Sequence, residues 1–353
     1  MWPQAPDVKE PGVASKKALA LLAFLPFLAF GIAFPVAFGG QPAMTDGQEI
    51  AVKALQIPEF KSGAGTIYGK LEFLGGLVLA TKNGEMGAVS SIRLLDQGTK
   101  FISVMDTGHW ATGAIERDGK GRLTGIAEYK IWSMADASGK SAHDKDGFDA
   151  EGMVLDKDRV YVSFERAHRI ASFAFPGFET SMPIDRQSPV VTPGKPLRNN
   201  GGMEALLKSA DSGPLGGALF FVTERSYDKS GNFIAGVQSG PKKGTFYVER
   251  LAPYDITDGV VLDDGSFLLL ERKFGLKEGI GMRVRRFSTL DIAPGATLKG
   301  EVVMEADFSH QIDNMEGLDA YKATDGSTHL IVISDDNHSL LERNLMLEFK
   351  MLP

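Results

Sequence analysis

The stretch Asp149-Ala150-Glu151-Gly152-Met153, in which an acidic residue and a glycine lead into an apolar strand, returns in related form along the chain. The related stretches are Val89-Ser90-Ser91-Ile92, Gly202-Met203-Glu204-Ala205-Leu206, Thr257-Asp258-Gly259-Val260 and Asn314-Met315-Glu316-Gly317-Leu318. The acidic members Glu151, Glu204, Asp258 and Glu316 lie 53, 54 and 58 residues apart. A recurrence at about 50 residues indicates a repeat architecture.

Each repeat continues with a second apolar strand that ends in an acid and with an outer strand that carries aromatic or aliphatic residues. The acids that end the second strands are Asp106, Glu165, Glu224, Glu271 and Asp335. Three or four strands in each repeat of about 50 residues predict an all-β fold, a β-propeller. Five repeats are visible, and the segment 66–80 combined with the C-terminal segment gives a sixth. We therefore expect six blades, with five as the alternative.

The N-terminal segment predicts export. Lys16 and Lys17 precede an uncharged apolar run, residues 18–38, and small residues follow it. This order is typical of a secretory signal peptide, and the run is also long enough for an uncleaved membrane anchor. We expect residues 1–40 to be the signal or anchor, 41–63 a linker and 64–353 the propeller. The propeller should then be periplasmic or otherwise extracytoplasmic, with residues 18–38 as a possible membrane tether.

Composition excludes several classes of function. The chain of 353 residues has a formal net charge of -7, which argues against nucleic acid as a partner. It has no cysteine, so disulfides, thiolate zinc sites and cysteine nucleophiles are excluded. No nucleophile elbow, phosphate-binding loop or zinc-protease motif occurs either.

The repeated acids predict a metal site, because the first strand of each blade lines the central channel of a propeller. Converging carboxylates need a cation or arginine partners, and clustered oxygen ligands suit a hard divalent ion, most readily Ca²⁺. The expected metal ligands are Asp106, Asp149, Glu151, Glu204, Glu316, Asp335 and Asp336. The alternative is architectural, since Glu-Arg pairs repeated in each blade can tie neighbouring blades together.

Other residues near the expected channel mouth suggest catalysis or substrate binding. Glu151, Glu204 and Asp258 are candidate bases, and His109, at a strand end, is a candidate acid or base or a plain surface histidine. Residues 144–151 alternate carboxylates around a glycine, as calcium loops do, although a solvated loop explains them equally well. The candidate substrate-binding residues are Arg169, Asn200, Arg272 and Lys273, the basic ones of which could equally pair with neighbouring carboxylates.

Several of these motifs together resemble the phytase-like family, whose bacterial members are described as having esterase-like activity of phytase. The motifs are Asp149-Ala150-Glu151-Gly152, Ser163-Phe164-Glu165, Asn200-Gly201-Gly202-Met203-Glu204-Ala205, Leu270-Glu271-Arg272-Lys273-Phe274, Asn314-Met315-Glu316-Gly317 and Ser334-Asp335-Asp336-Asn337. The resemblance runs from about Gly75 to Phe349 and implies a β-propeller that hydrolyses phosphate esters or other esters. The chain departs from the family pattern at Val89-Ser90-Ser91 and Met105-Asp106-Thr107-Gly108.

Three functions are consistent with the sequence. The first is a metal-dependent phosphoesterase in which Ca²⁺ at the channel mouth binds a small-molecule ester and activates water. The second is a non-catalytic propeller that binds a ligand or a partner of the cell envelope. The third keeps the metal but hydrolyses a lactone or a carboxylic ester, because a fold does not fix the reaction it supports.

Overall fold

The computed structural model describes residues 46–82, 84, 86–141, 147–191, 197–275, 279–339 and 341–353. Within these residues the chain forms 23 strands and three single-turn 3₁₀ helices. The strands are β1 (Lys53–Ile57), β2 (Ile67–Tyr68), β3 (Leu71–Ala80), β4 (Val89–Leu95), β5 (Lys100–Met105), β6 (His109–Arg117), β7 (Leu123–Ser133), β8 (Ala150–Asp156), β9 (Arg159–Phe164), β10 (Arg169–Ala174), β11 (Asp185–Gln187), β12 (Met203–Lys208), β13 (Leu219–Tyr227), β14 (Phe233–Val237), β15 (Gly244–Val248), β16 (Asp255–Val261), β17 (Ser266–Gly275), β18 (Gly279–Ser288), β19 (Thr297–Leu298), β20 (Glu301–Asp307), β21 (Asn314–Lys322), β22 (Thr328–Asp335) and β23 (Asn344–Met351). The 3₁₀ helices are Asp96–Gly98, Phe178–Thr180 and Thr289–Asp291.

The described strands form five sheets, and each sheet is one blade of a β-propeller. Blade 1 is β4-β5-β6-β7, blade 2 is β8-β9-β10-β11, blade 3 is β12-β13-β14-β15-β19 and blade 4 is β16-β17-β18-β20. Blade 5 is β21-β22-β23-β3-β1, with β2 paired to β3. The first strands of the blades, β4, β8, β12, β16 and β21, contact one another in a closed ring around the central channel. The expected all-β propeller is confirmed.

The main prediction of six blades is wrong, and the alternative of five is right. The early strand β3 and the last strand β23 pair with each other, as expected, along the register from Leu71↔Met351 to Leu79↔Asn344. However, β23 also pairs with β22, so these strands complete the blade of β21 and β22 instead of forming a sixth. Pairing the early strand β3 with the last strand β23 in one sheet closes the ring and removes the exposed edges of an open stack.

The sequences of the strands explain why the blades stack. In β17 the run Phe267-Leu268-Leu269-Leu270 is fully buried, because a central strand of a stacked sheet has both faces covered. Its side chains alternate between two cores: Phe267 and Leu269 pack with blade 3, and Leu268 and Leu270 pack with blade 5. Five such clusters occur among the described residues, one between each pair of neighbouring blades.

Part of the segment predicted as a linker belongs to the propeller. Residues 53–57 form β1, which pairs with β3, and Phe60 is fully buried in the core between blades 4 and 5. The apolar run 18–38, predicted to be a signal or membrane anchor, lies outside the described residues. Among the residues that are described, no helix has the length and apolar character needed to cross a membrane.

Candidate functional site

A β-bulge near the start of every first strand creates the candidate site. The pairing between the first and second strands of each blade shifts by one residue there, between Val89 and Ser91 in blade 1 and at equivalent places in the others. A bulge leaves its extra residue unpaired in the ladder and redirects its side chain. The residues at the bulges are Ser90, Glu151, Glu204, Thr257 and Glu316. We call these five residues the bulge ring.

A second set of equivalent residues lies on the second strands or directly after them, one position beyond the partner of the residue that precedes each bulge. The residue before each bulge pairs with Met105, Phe164, Thr223, Glu271 or Ser334. The next residue in each case therefore occupies an equivalent position at the same end of the channel. These residues are Asp106, Glu165, Glu224, Arg272 and Asp335, and we call them the outer ring.

The two rings enclose a cavity of about 300 Å³ at this end of the channel, which we call the mouth. Every ring member except Thr257 lines the cavity, and Asp149, Arg166, Asn200 and Arg225 line it as well. The lining carries eight carboxylates but only three arginines. The mouth therefore has a strong local excess of negative charge.

Backbone donors orient one carboxylate of the outer ring. Oε1 of Glu165 accepts hydrogen bonds from the backbone N–H groups of Gly201, at 2.7 Å, and of Gly202. Gly201 adopts a φ of +102° in this turn, where a side chain would be strained and would collide with Arg225. The Asn200-Gly201-Gly202 turn of blade 3 thus fixes the position of a carboxylate from blade 2. Sequence reasoning missed this contact, because the donors are backbone groups.

Arginines balance part of the acidic charge. Arg272 donates from Nη1 to Asn314 at 2.5 Å, and its Nη2 lies 3.2 Å from both Glu224 and Glu316. Arg225 pairs with Glu224 at 3.0 Å and with Asp255 at 2.8 Å. Arg166 pairs with Asp149 at 2.8 Å. Each arginine therefore contacts at least one acid of the mouth or its border.

Two acids of the bulge ring have no such partner. Glu151 and Glu204 form no hydrogen bond or ion pair with any residue that the structure describes. Glu204 is only 8% exposed, and both side chains line the cavity. Burial, together with the charges of Glu165 and Asp149, raises the pKa of Glu151 well above its usual value. Burial and the charges of Glu151 and Glu224 do the same to the pKa of Glu204.

The neighbouring acids show the same effect. Burial raises the pKa of Glu316 to about 8, with repulsion from Asp335 and Glu224 adding to it, although Arg272 opposes the shift. Burial and the charge of Asp106 raise the pKa of Asp335 to about 6. At neutral pH the mouth must therefore either retain protons or receive a compensating cation.

The donor set fits a hard divalent cation. Ligand oxygens of Asp149, Glu151 and Glu165 all lie within 4.8 Å of one another. Ca²⁺ and Mg²⁺ prefer oxygen ligands such as carboxylates, and Ca²⁺ takes six to eight oxygens, including carbonyls and waters, with flexible geometry. The partnerless Glu204 faces the same cavity. Asp149, Glu151 and Glu165 are thus the residues able to hold a metal, with Glu204 close to them.

Of the predicted metal ligands and acid-base residues, most line the cavity, but Asp258 does not. Asp258 is fully buried deeper in the channel, where Arg93 binds it at 3.0 Å and Ser91 donates to it at 2.9 Å. The reason is a one-residue shift: the bulge residue of blade 4 is Thr257, so the expected alignment of Asp258 with Glu151, Glu204 and Glu316 is wrong. Asp258 takes the position that Gly152 has in blade 2.

Four other predicted residues lie at the mouth face but outside the cavity lining. The Arg169 guanidinium stacks 4.0 Å from the Phe164 ring, and burial lowers its pKa to about 10. Lys273 lies 5.2 Å from the Tyr254 ring. Asp336 accepts hydrogen bonds from the His338 backbone at 3.0 Å and from Asn344 at 2.7 Å. Nδ1 of His109 lies 3.0 Å from the Thr107 hydroxyl at the start of β6.

The other predicted site residues lie as follows. Asp106, Asp149, Glu151, Asn200, Glu204, Arg272, Glu316 and Asp335 all line the cavity. Within the proposed calcium loop, residues 144–146 lie outside the described residues. Glu271, expected to end the second strand of blade 4 as a channel acid, points into the blade and binds Arg283 and Arg285. Its neighbour Arg272 holds the ring position instead.

The family profile described as phytase-like, esterase-like activity of phytase, matches residues 84–338. The chain belongs to the phytase-like family. The match covers all five bulges and both rings, so the shared region of this phytase-like protein contains the whole mouth. Family and fold together indicate a propeller of the hydrolase type.

Three solved structures that match this phytase-like protein are distant from it in sequence. An endo-arabinase from Bacteroides thetaiotaomicron is 10% identical, with 76% of this chain and 95% of that chain covered and a TM-score of 0.46. The catalytic domain of the Coprinopsis cinerea GH62 α-L-arabinofuranosidase is 10% identical, with 81% and 99% covered and a TM-score of 0.43. The PQQ-bound aldose sugar dehydrogenase from Streptomyces coelicolor is 13% identical, with 86% and 99% covered and a TM-score of 0.38. No curated protein matches the chain.

Proposed function

We propose that this phytase-like protein is a metal-dependent ester hydrolase that acts on phosphate esters outside the cytoplasmic membrane. The observation that carries the proposal is the mouth. Eight carboxylates line one cavity, and two of them, Glu151 and Glu204, have no partner among the described residues. Such an arrangement is unfavourable for the protein alone and becomes favourable with a bound cation. We infer that the cation is Ca²⁺.

Asp149, Glu151 and Glu165 would hold the cation, with the Gly201 and Gly202 amides keeping Glu165 in place. A divalent cation at this position supplies Lewis acidity, which polarises the ester and lowers the pKa of a bound water. Its charge also allows an anionic ester to enter an acidic cavity.

The arginines at the border of the mouth suit an anionic substrate. The side chains of Arg166 and Arg225 are 46% and 38% exposed. Each guanidinium has several N–H groups, so it can donate to a bound ligand and remain paired with its acid at the same time. Guanidinium groups bind phosphate oxygens with two parallel hydrogen bonds. Arg272 is held by Glu224, Glu316 and Asn314. We therefore propose that it neutralises these buried acids and does not bind the substrate.

Glu204 is suited to proton transfer. It has no partner in the described part of the chain, and burial together with the charges of Glu151 and Glu224 raises its pKa, which favours the protonated acid. A carboxylic acid in that state can protonate a leaving alcohol, and the carboxylate can later accept a proton from water. Asp258 has no part in this proposal, because Arg93 and Ser91 occupy its carboxylate.

A second function is supported by a specific observation, namely that all three arginines of the mouth are paired with acids. Arg272 joins Glu224 of blade 3 to Glu316 of blade 5. If those pairs serve only to join blades, then the mouth binds a ligand or an envelope partner without turnover. Hydrolysis of a lactone or a carboxylic ester at the same metal is the third possibility.

One assay distinguishes these functions. Phosphomonoesters, phosphodiesters, carboxylic esters and lactones are incubated with the full chain in chelator and then in Ca²⁺, Mg²⁺ or Mn²⁺. We expect hydrolysis of phosphate esters, seen as release of the alcohol, that depends on Ca²⁺ and falls by about 100-fold in Glu151→Gln. The matched control Glu301→Gln, on the outer strand of blade 4, should keep full activity. Turnover of carboxylic esters or lactones alone would establish the third function, and no turnover by the folded protein would contradict hydrolysis and favour the binding function.

The proposed location has its own test. Residues 18–38 would direct export and, if they are retained, tether the protein to the cytoplasmic membrane. Cell fractionation with a C-terminal tag should place the protein in the periplasmic or membrane fraction. Recovery of the full-length chain in the cytoplasmic fraction would contradict export.

A further inference from the structure

Arg93 lies in the central channel directly below the bulge ring. It is on β4 and only 7% exposed. Its two terminal nitrogens each lie 3.0 Å from an oxygen of Asp258, so the guanidinium and the carboxylate form a bidentate pair. The pair joins blade 1 to blade 4 across the channel.

The same guanidinium binds backbone carbonyls from four of the five first strands. It donates to Leu206 at 3.3 Å, Gly259 at 3.1 Å, Leu318 at 3.1 Å and its own neighbour Ile92. Each of these residues stands two positions after a residue of the bulge ring, namely Glu204, Thr257, Glu316 and Ser90. Among the described hydrogen bonds of Arg93, none is to β8, the strand that carries Glu151.

Asp258 completes this junction from the other side. It accepts hydrogen bonds from the Ser91 hydroxyl at 2.9 Å and from the backbone N–H groups of Leu318 at 3.0 Å and Gly259 at 2.7 Å. The buried charges are therefore paired and extensively hydrogen-bonded, which is the condition under which a buried ion pair is tolerated.

We propose that Arg93 is the positioning residue that sets the spacing of the mouth carboxylates. This inference deepens the proposed function and depends on it for its consequence. Arg93 fixes the radial position of β12 and β21 just below Glu204 and Glu316, whereas it donates no described hydrogen bond to β8, the strand below Glu151. Because ligand groups must be held within about 0.5 Å of their productive geometry, a small shift of these strands weakens a cation site. Arg93 acts through the carboxylates and touches no ligand itself.

Hydrogen exchange tests the positioning claim without reference to metal or activity. Arg93→Lys keeps the charge beside Asp258 but cannot reach four carbonyls, because an ammonium has three donors. The matched control is Arg285→Lys, which alters a second buried arginine, paired with Glu271 inside blade 4. We expect Arg93→Lys to speed exchange at least tenfold in the mouth-side halves of β4, β12, β16 and β21, and less in β8. Arg285→Lys should not produce this pattern.

Metal affinity then tests the consequence. The dissociation constant for Ca²⁺ should rise at least tenfold in Arg93→Lys and less than twofold in Arg285→Lys, measured well below the melting temperature of both. The same exchange pattern in both variants, or equal losses of affinity, would overturn the positioning role. If the wild-type protein binds no divalent cation, the proposed function fails, whereas the exchange pattern still decides whether Arg93 positions the strands.

Discussion

Nη2 of Arg272 lies 3.2 Å from Oε1 of Glu316, and the two residues belong to neighbouring blades. The equivalent outer-ring positions in the other blades carry Asp106, Glu165, Glu224 and Asp335. Arg272 is thus the single cation in a ring of acids. Burial disfavours its charge, but Glu316 and Glu224 more than offset this and raise the pKa of Arg272. Blade 4 therefore departs from the repeat: it places an arginine at the outer-ring position, and this arginine partly neutralises the acids that the other blades place there.

We predict that Arg272→Met destabilises the protein in chelator, because it leaves Glu224 and Glu316 buried without their shared partner. Breaking a buried pair in this way costs about 3–5 kcal/mol. Added Ca²⁺ should recover part of the loss, since a cation supplies the missing charge. Lys273→Met is the matched control, because Lys273 packs on Tyr254 outside the cavity. Chemical denaturation of both variants, with and without Ca²⁺, measures this, and an equal loss in the two would contradict it.

We predict that Glu204→Gln stabilises the metal-free protein and weakens metal binding. The substitution removes a buried acid that has no partner among the described residues, so the cost of ionising it beside Glu151 and Glu224 disappears. Thermal unfolding in chelator should shift upward by a few degrees, since about 1 kcal/mol moves the midpoint of a large domain by roughly 2–4 °C. The Ca²⁺-induced shift should shrink in the same variant. A lower midpoint in chelator would show that Glu204 has a structural partner.

Stability in chelator should fall as pH rises from about 5 to 8. Glu316 and Asp335 have raised pKa values, about 8 and about 6, so the folded protein binds more protons than the unfolded chain in this window. Asp319, whose pKa burial raises to about 6, contributes with the same sign. Acids with lowered pKa values, such as Asp211 at about 2, titrate below the window.

The measurement is the thermal midpoint at several pH values, with chelator and with saturating Ca²⁺. Ca²⁺ should flatten the profile, because it replaces the protons, and its affinity should rise with pH. Glu316→Gln should also reduce the slope in chelator. A midpoint in chelator that rises from pH 5 to 8 would contradict the account of the mouth.

The sequence predicted the propeller and most of the cavity lining, because strands buried on both faces leave a regular apolar pattern. It overcounted the blades, since nothing local shows that β3 and β23 complete one sheet with β21 and β22. It also placed Asp258 in the ring in place of Thr257. A bulge adds one residue to one strand only, so an acid beside it looks equivalent until the pairing is known.

The spacing of the repeats contained a signal for this shift. Glu204 follows Glu151 by 53 residues, and the same step from Glu204 reaches Thr257 and not Asp258. The role of Arg93 left no comparable signal. Its partners are mostly carbonyl groups from three other blades, which no side-chain pattern reveals.

Gly152 gives a steric prediction. A Cβ at Gly152 would lie 2.1 Å from the Glu204 carbonyl oxygen and 2.7 Å from the Leu206 nitrogen, both of them backbone atoms of β12. Gly152→Ala must therefore push β8 and β12 apart, which costs about 1–3 kcal/mol for an overpacked site. It should also weaken Ca²⁺ binding, because Glu151 and Glu204 move with their strands.

The control is Gly119→Ala, at a position where a Cβ would meet nothing within 4 Å. Denaturation and Ca²⁺ titration of the two variants measure the effect. Equal behaviour would show that the spacing of β8 and β12 is not critical.

The most direct test of the central claim is anomalous diffraction from crystals of the full chain soaked in Mn²⁺, a scattering substitute for Ca²⁺. The account predicts a peak in the mouth cavity about 2.1–2.6 Å from carboxylate oxygens of Asp149, Glu151 and Glu165, displaced when Ca²⁺ is added. Crystals of Glu151→Gln should lack the peak. Well-ordered wild-type crystals without a peak in the cavity, or with a peak bound only elsewhere, would contradict a metal-dependent mouth.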